Sequence, residues 1–458
     1  MLVVSADSHA GPPVEQYRPY LERGFHDALD ELIEEDRQYA EVSGTLSAFS
    51  ADQLAIVDGD SAIATGGATG AWDVERRLLE MDREGITAEL VIQGHQFHTA
   101  PFFGLQNKAY PADVRLAGVR AYHRWLADMI SASGGRLFGL AEQTPVPDMD
   151  DTLRELRWAA EHGCRAVSVP GQVVDPGVPQ PPLFDPYFEP FWATCAELDL
   201  ALVVHVGQGF PLGMVSRGLE MRAQLTTANG KSRDRASMME MAEVDPAAAS
   251  MFSLNYTQRQ TFWQLLVAGV FDRHPNLRYV PTEARADWLP ATLAHMDARF
   301  EQGGTGLKRR PSDYWATNGF AGASFIHRAE ILDRHSIGVS TLMFGRDYPH
   351  PEGTWPNTGD WLRAAFEGCS EADARLVLGE NAVRCYGLDR EALLPVAQRV
   401  GPRVADVLGG RDAIDQRLIA ELDRRGGLEK EAEPLDAAAL DRLLEQDLIG
   451  AAAARSAA

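Results

Sequence analysis

Cysteine is scarce in this chain. Its four cysteines, Cys164, Cys195, Cys369 and Cys385, are scattered over 458 residues, and no two form a CxxC pair. That spacing argues against a zinc ribbon or a dithiol redox motif and fits buried free thiols in a reducing compartment. Long apolar runs are missing too. No run of about 20 apolar residues is present to span a bilayer. The first residues, MLVVSADSHAGPP, have neither a basic n-region nor a long apolar core. A cytoplasmic protein without a membrane partner is expected. Positive charge is in deficit: 43 Lys and Arg face 66 Asp and Glu, a net charge of −23. Phosphate backbones would be repelled, so no nucleic-acid partner is expected. An anionic small molecule stays admissible, because a bound metal reverses the local field.

What is present is a large core and a repeated pattern. Hydrophobic residues make up 45% of the chain and charged residues 24%, an ordinary soluble balance. Short β-branched runs alternate with helix-like segments. LVVSA (2–6), AELVIQG (88–94), RLFGLAEQTP (136–145), RAVSVPG (165–171), LALVVHVGQG (200–209), LRYVPTE (277–283), GFAGASF (319–325) and STLMFG (340–345) read as strands. Between them lie amphipathic stretches such as VERRLLEMDREG (74–85) and DDTLRELRWAAEHG (150–163), each closed by a glycine. Eight such units predict an α/β fold, a (β/α)8 TIM barrel over residues 1–390. An open doubly wound sheet would need an early phosphate-binding glycine turn, and SADSHAGPP is not one. Insertions at about 30–72 and 210–258 are expected to form lids, substrate walls, solvated loops or dimer contacts. Residues 391–458 are expected to be a helical extension used for packing or as an oligomer arm.

Three strand ends carry metal-competent side chains. Asp7 and His9 are two apart at the end of the first strand and share a face. His205 ends a very apolar strand, where a buried imidazole needs a partner: a backbone group or a ligand. Asp347 stands third in GRDYPHPEG (345–353), just past the last strand, and a carboxylate is costly to bury there alone. These ends meet only if the barrel closes and sets first and last strands side by side. Two imidazoles and two carboxylates would then suit one divalent ion, most simply zinc, with manganese and iron as alternatives.

Motifs in family order extend the reading. ADSHAGPP, RLLEMDREGITAELVI, GRLFGLAEQTPVPD, FEPFWATCAELDLALVVHVG, VFDRHPNLRYVPTEARADWLPATLAHMD, MFGRDYPHPEG and GENAVRCYGL run across most of residues 1–390. Together they resemble the amidohydrolase-related, metal-dependent hydrolase family, the branch that includes aminocarboxymuconate-semialdehyde and resorcylate decarboxylases. The resemblance implies metal ligands at Asp7, His9, His205 and Asp347, with Asp347 also shuttling a proton. RAVSVPG lacks the lysine that bridges two metals in binuclear relatives, which favours one ion. Three positions depart from the family pattern: Asp7 stands where many members have His or Glu. Arg346 replaces a small residue. Val280 stands three residues before Glu283, where the decarboxylases place a catalytic His.

Glu283, at a strand end, is read as a second catalytic carboxyl, orienting a water or bonding His205, or else as an ion-pair partner of Arg285 or Arg124. His350, His95, Gln208 and Trp355 are expected on the substrate wall; Phe97, Phe102, Phe103, Phe210 and Trp355 read equally as aromatic neighbours of the mouth or as core. The expected reaction is hydrolysis of a small organic, aromatic or carboxylated substrate by a metal-activated water. The alternative is non-oxidative decarboxylation of an aryl or enol carboxylate. A third reading is a barrel that binds metal or ligand without turnover. The only partner expected beyond the substrate is a second copy, in a homodimer or higher homo-oligomer.

Overall fold

The computed structural model describes residues 1–46, 49–94, 98–103, 110–142, 149–170, 181–205, 254–431 and 434–457. The first strand is split into β1 (Val4–Ser5) and β2 (His9–Ala10). Both pair in parallel with β3 (Ala88–Gln93), in register Val4↔Ala88 and His9↔Ile92. Parallel pairing continues through β4 (Leu137–Ala141), β5 (Cys164–Ser168), β6 (Ala201–His205) and β7 (Tyr279–Thr282). A second ladder joins β8 (Ala321–Ser324) to β9 (Leu342–Phe344).

Two links close the circuit. A parallel bridge joins Tyr279 to Gly319, and another joins Ser8 to Tyr348. Beside them, Phe320 N donates to Tyr279 O at 2.9 Å and Ala6 N to Phe344 O at 2.9 Å. The eight staves of a TIM barrel are therefore present, all parallel.

The period-2 alternation of each strand sorts its side chains into two layers. Val4, Leu90, Phe138, Ala166, Val203 and Val280 belong to one buried cluster, the barrel interior. Val3, Val91, Leu137, Val167, Leu202 and Tyr279 belong to another, under the helices. Strands buried on both faces explain why they read as continuous apolar runs. The helices follow their predicted positions. α3 (Val74–Arg83) starts at Asp73, whose carboxylate accepts from Arg76 N.

The segment 30–72 is not a solvated loop. It holds most of α1 (His26–Leu46), then α2 (Ala51–Val57) and a short turn, Gly67–Ala71. Leu29 and Leu32 are buried against Val14 and Phe102, and Asp36 accepts from Thr99 N at 2.7 Å. A buried face and one tied carboxylate hold this insertion to the barrel. Of the second insertion, residues 210–253 lie outside the described residues. The C-terminal helix Ala437–Ala457 packs on the helix Leu254–Val267, where Trp263 Nε1 donates to Leu444 O at 3.1 Å. Among the described residues no helix is long and apolar enough to cross a membrane.

Candidate active site

Barrel closure brings the predicted strand ends together. Asp7 sits in the gap between β1 and β2, His9 starts β2, His205 ends β6, and Asp347 follows β9 by three residues. All four are buried, and both aspartates are fully so. His205 Nε2 lies 3.5 Å from Asp7 Oδ1. His9 Nε2 lies 3.7 Å from Asp7 Oδ1 and 3.3 Å from Asp347 Oδ1.

These spacings decide between two explanations. Hydrogen-bonded imidazole and carboxylate atoms would sit about 2.7–3.0 Å apart. Donor atoms bound at about 2.1 Å to one ion sit roughly 3.0–3.4 Å from one another, by the geometry of a four- or six-coordinate centre. The observed values follow the second pattern more closely. Both Asp7 carboxylate oxygens are buried without a hydrogen bond, a costly state that a cation would relieve. His9 Nδ1 lies 3.3 Å from Gln93 O. A proton on Nδ1 leaves the Nε2 lone pair facing the two aspartates, as a metal ligand requires. Asp7, His9 and His205 thus fit one divalent ion, with Asp347 in reach of the same His9 nitrogen.

His350 joins the same cluster. Its ring stacks on His9 with centroids 4.1 Å apart, and its Nδ1 lies 3.0 Å from Asp347 Oδ1. Glu283 Oε2 is 3.7 Å from His205 Nε2, the nitrogen that faces Asp7. Glu283 therefore shares the site cavity and does not support His205 from behind. The ion pairs expected as its alternative do not form: Arg285 pairs with Asp287, and Arg124 with Glu155. Burial, then the charge of Asp347, push the Glu283 carboxyl up to about 8. Glu283 and Asp347 both adopt left-handed backbone, with φ of 56° and 51°. Such strain persists only where neighbours over-determine it, and it gathers at functional sites.

Several expectations are placed differently. Trp355 takes the core alternative. It is 4% exposed, packs on Tyr348 and Ala62, and donates its indole N–H to Glu80 at 3.0 Å. A buried indole seeks an acceptor, and Glu80 supplies it. Phe102 and Phe103 are core residues as well. His95, Gln208, Phe97 and Phe210 lie outside the described residues. Two groups escaped sequence reasoning. Glu142, just past β4, is buried and accepts from Ser168 Oγ at 2.9 Å. Burial raises its carboxyl to about 7. Glu89 pairs with Arg77 and with Arg346, so the unexplained Arg346 is a buried ion-pair partner. A glutamate inside the apolar run AELVIQ was the available signal.

Comparison with known proteins follows the same lines. Residues 106–388 match the amidohydrolase family. The chain belongs to the amidohydrolase family. Within that family it is 28% identical over 278 residues to gamma-resorcylate decarboxylase of Rhodococcus jostii, covering 58% of this chain and 75% of the relative. A solved amidohydrolase from Mycobacterium avium subsp. paratuberculosis superposes with a TM-score of 0.56 at 18% identity, over 84% of this chain and 99% of the other. A dihydroxybenzoic acid decarboxylase from Polaromonas, with bound manganese and the inhibitor 2-nitroresorcinol, superposes with a TM-score of 0.52 at 19% identity, over 86% and 99%. At such identities the two structures establish the shared fold.

Proposed function

We propose that this amidohydrolase-family chain is a metal-dependent, non-oxidative decarboxylase of an aromatic carboxylate. The observation that carries the reading is the donor spacing at one end of the barrel: 3.5–3.7 Å from Asp7 to His205 and His9, and 3.3 Å from His9 to Asp347. Between the two reactions compatible with those ligands, decarboxylation takes precedence over the expected hydrolysis. Its support is the likeness over 278 residues to a resorcylate decarboxylase. Val280, which favoured hydrolysis, is a buried interior residue, and its place leaves the proton to be delivered by another group. Manganese is the metal to test first, with zinc second.

When bound, a divalent ion would hold the substrate carboxylate and a neighbouring oxygen and draw electron density from them. The chain's own residues then handle the proton. Asp347 is the proposed donor, to the ring carbon that bears the carboxylate. The carbon–carbon bond breaks as carbon dioxide leaves, its electron pair staying with the ring to form the new C–H bond. Asp347 recovers a proton through His350, whose Nδ1 lies 3.0 Å away and whose side chain is 16% exposed. Glu283 faces the same space, 3.7 Å from His205 Nε2, and in its protonated form would donate a hydrogen bond to a substrate oxygen.

The test is a substrate panel on manganese-loaded protein. Ortho-hydroxybenzoates are expected to release carbon dioxide, with no turnover of amides, lactones or esters. Hydrolysis of the second group without carbon dioxide from the first would reverse the assignment.

A further inference from the structure

Arg346 is the residue the metal site leaves unused, and its surroundings point beyond stability. We propose that Arg77, Glu89 and Arg346 form a positioning network that sets the Asp7–His9 pair against Asp347. The proposal rests on the metal-site reading above. All three side chains are fully buried. They lie on the outer face of the barrel wall, since Glu89 alternates with the interior residues Ala88 and Leu90.

The contacts reach the backbone of every ligand on this side. Glu89 Oε2 accepts from Arg77 Nε at 2.9 Å, and Glu89 Oε1 accepts from Arg346 Nε. Arg77 Nη1 donates to His9 O at 2.8 Å, and Nη2 to Ser8 Oγ at 2.7 Å. Arg346 N donates to Ser5 Oγ at 2.9 Å, and Ser5 Oγ donates to Asp7 O at 2.7 Å. Asp347 N donates to Asp7 O at 3.0 Å. Tyr348 lies against both guanidiniums, 5.1 Å from Arg77 Cζ and 4.4 Å from Arg346 Cζ. One carboxylate on β3 therefore ties the strand before His9 to the strand before Asp347.

Stability alone is a poor reason for this arrangement. A buried charge cluster is often matched or bettered by apolar residues of similar size, because its desolvation cost offsets its attraction. Positioning is a better reason. Asp347 sits in a left-handed conformation that neighbours must enforce. Groups that orient metal ligands from outside typically change metal affinity by about 10–100-fold when removed. Arg77 suits the role because its planar fork reaches Glu89, His9 O and Ser8 together, which lysine cannot do.

The test measures manganese affinity by calorimetry, with circular dichroism as the folding control. The apolar triple variant Arg77→Met/Glu89→Leu/Arg346→Met is expected to fold and to bind manganese about 10–100-fold more weakly. Arg77→Lys keeps the charge, guards against a triple variant that fails to fold, and is expected to weaken binding at least about tenfold. Wild-type affinity in a folded triple variant would overturn the proposal, as would wild-type affinity in Arg77→Lys if the triple variant does not fold. Absence of manganese binding by the wild type would overturn the metal-site reading and this role with it.

Discussion

Asp347 combines features that rarely coincide: full burial, left-handed backbone, and a place between His9 and His350. Asparagine tolerates left-handed backbone about as well as aspartate, so Asp347→Asn removes the carboxyl, both ligand and proton donor, without disturbing the turn. Loss of a positioned proton donor typically costs 10²–10⁴-fold. Carbon dioxide release by Asp347→Asn is expected to fall by about that factor, with the melting temperature within a few degrees of wild type. His350→Ala should lose less, on the order of tenfold, if solvent can replace it as proton source. A loss equal to that of Asp347→Asn would make His350 the donor. Asp7, His9, His205 and Asp347 were legible because each ends an apolar strand, where an isolated polar residue needs a reason. Glu89 and Arg346 were harder. They lie 257 residues apart, and no local pattern pairs them.

Helices show the same division. The glycine-closed helix at 150–163 was plain from its period and corresponds to α5 (Met149–Glu161). Its tie to α4 (Ala112–Ala132) was not. Glu155 accepts from His123 Nδ1 at 2.7 Å and pairs with Arg124. Burial alone would raise its carboxyl, but the hydrogen bonds from His123 and Arg124 and the Arg124 charge outweigh it and hold it down to about 2. A carboxyl depressed in the folded state stabilises above its unfolded value of about 4.5 and loses that contribution as the pH falls from there toward 2. Glu155→Gln is therefore expected to lower unfolding free energy at pH 7 by up to about 3 kcal/mol. The gap from wild type should narrow below pH 4.5 in urea titrations. A gap independent of pH would mean that packing, not charge, joins these helices. The segment 30–72 stayed open between wall, lid and loop because its polar, small-residue composition hides a narrow buried face. Long-range contacts through Leu29, Leu32 and Asp36 decide its state.

For the whole molecule, closure matters most. Eight strand-helix alternations made the barrel legible, and closure made the site from residues 340 positions apart. The C-terminal helix adds a layer that periodicity could not place. Its Leu440, Leu444 and Leu448 are buried against the helix that carries Trp263. Full burial of such a side chain is worth about 1.5–3 kcal/mol. Ending the chain before residue 434 should therefore lower the melting temperature by several degrees, read by calorimetry. An unchanged melting temperature would show that the helix adds nothing to the barrel's stability. The closed barrel is proposed to hold one divalent ion between Asp7, His9, His205 and Asp347. This is tested most directly by metal analysis of protein stripped with chelator and reloaded with manganese. One equivalent per chain is expected, lost in His205→Ala. Failure of the folded wild type to hold a stoichiometric divalent metal would contradict it.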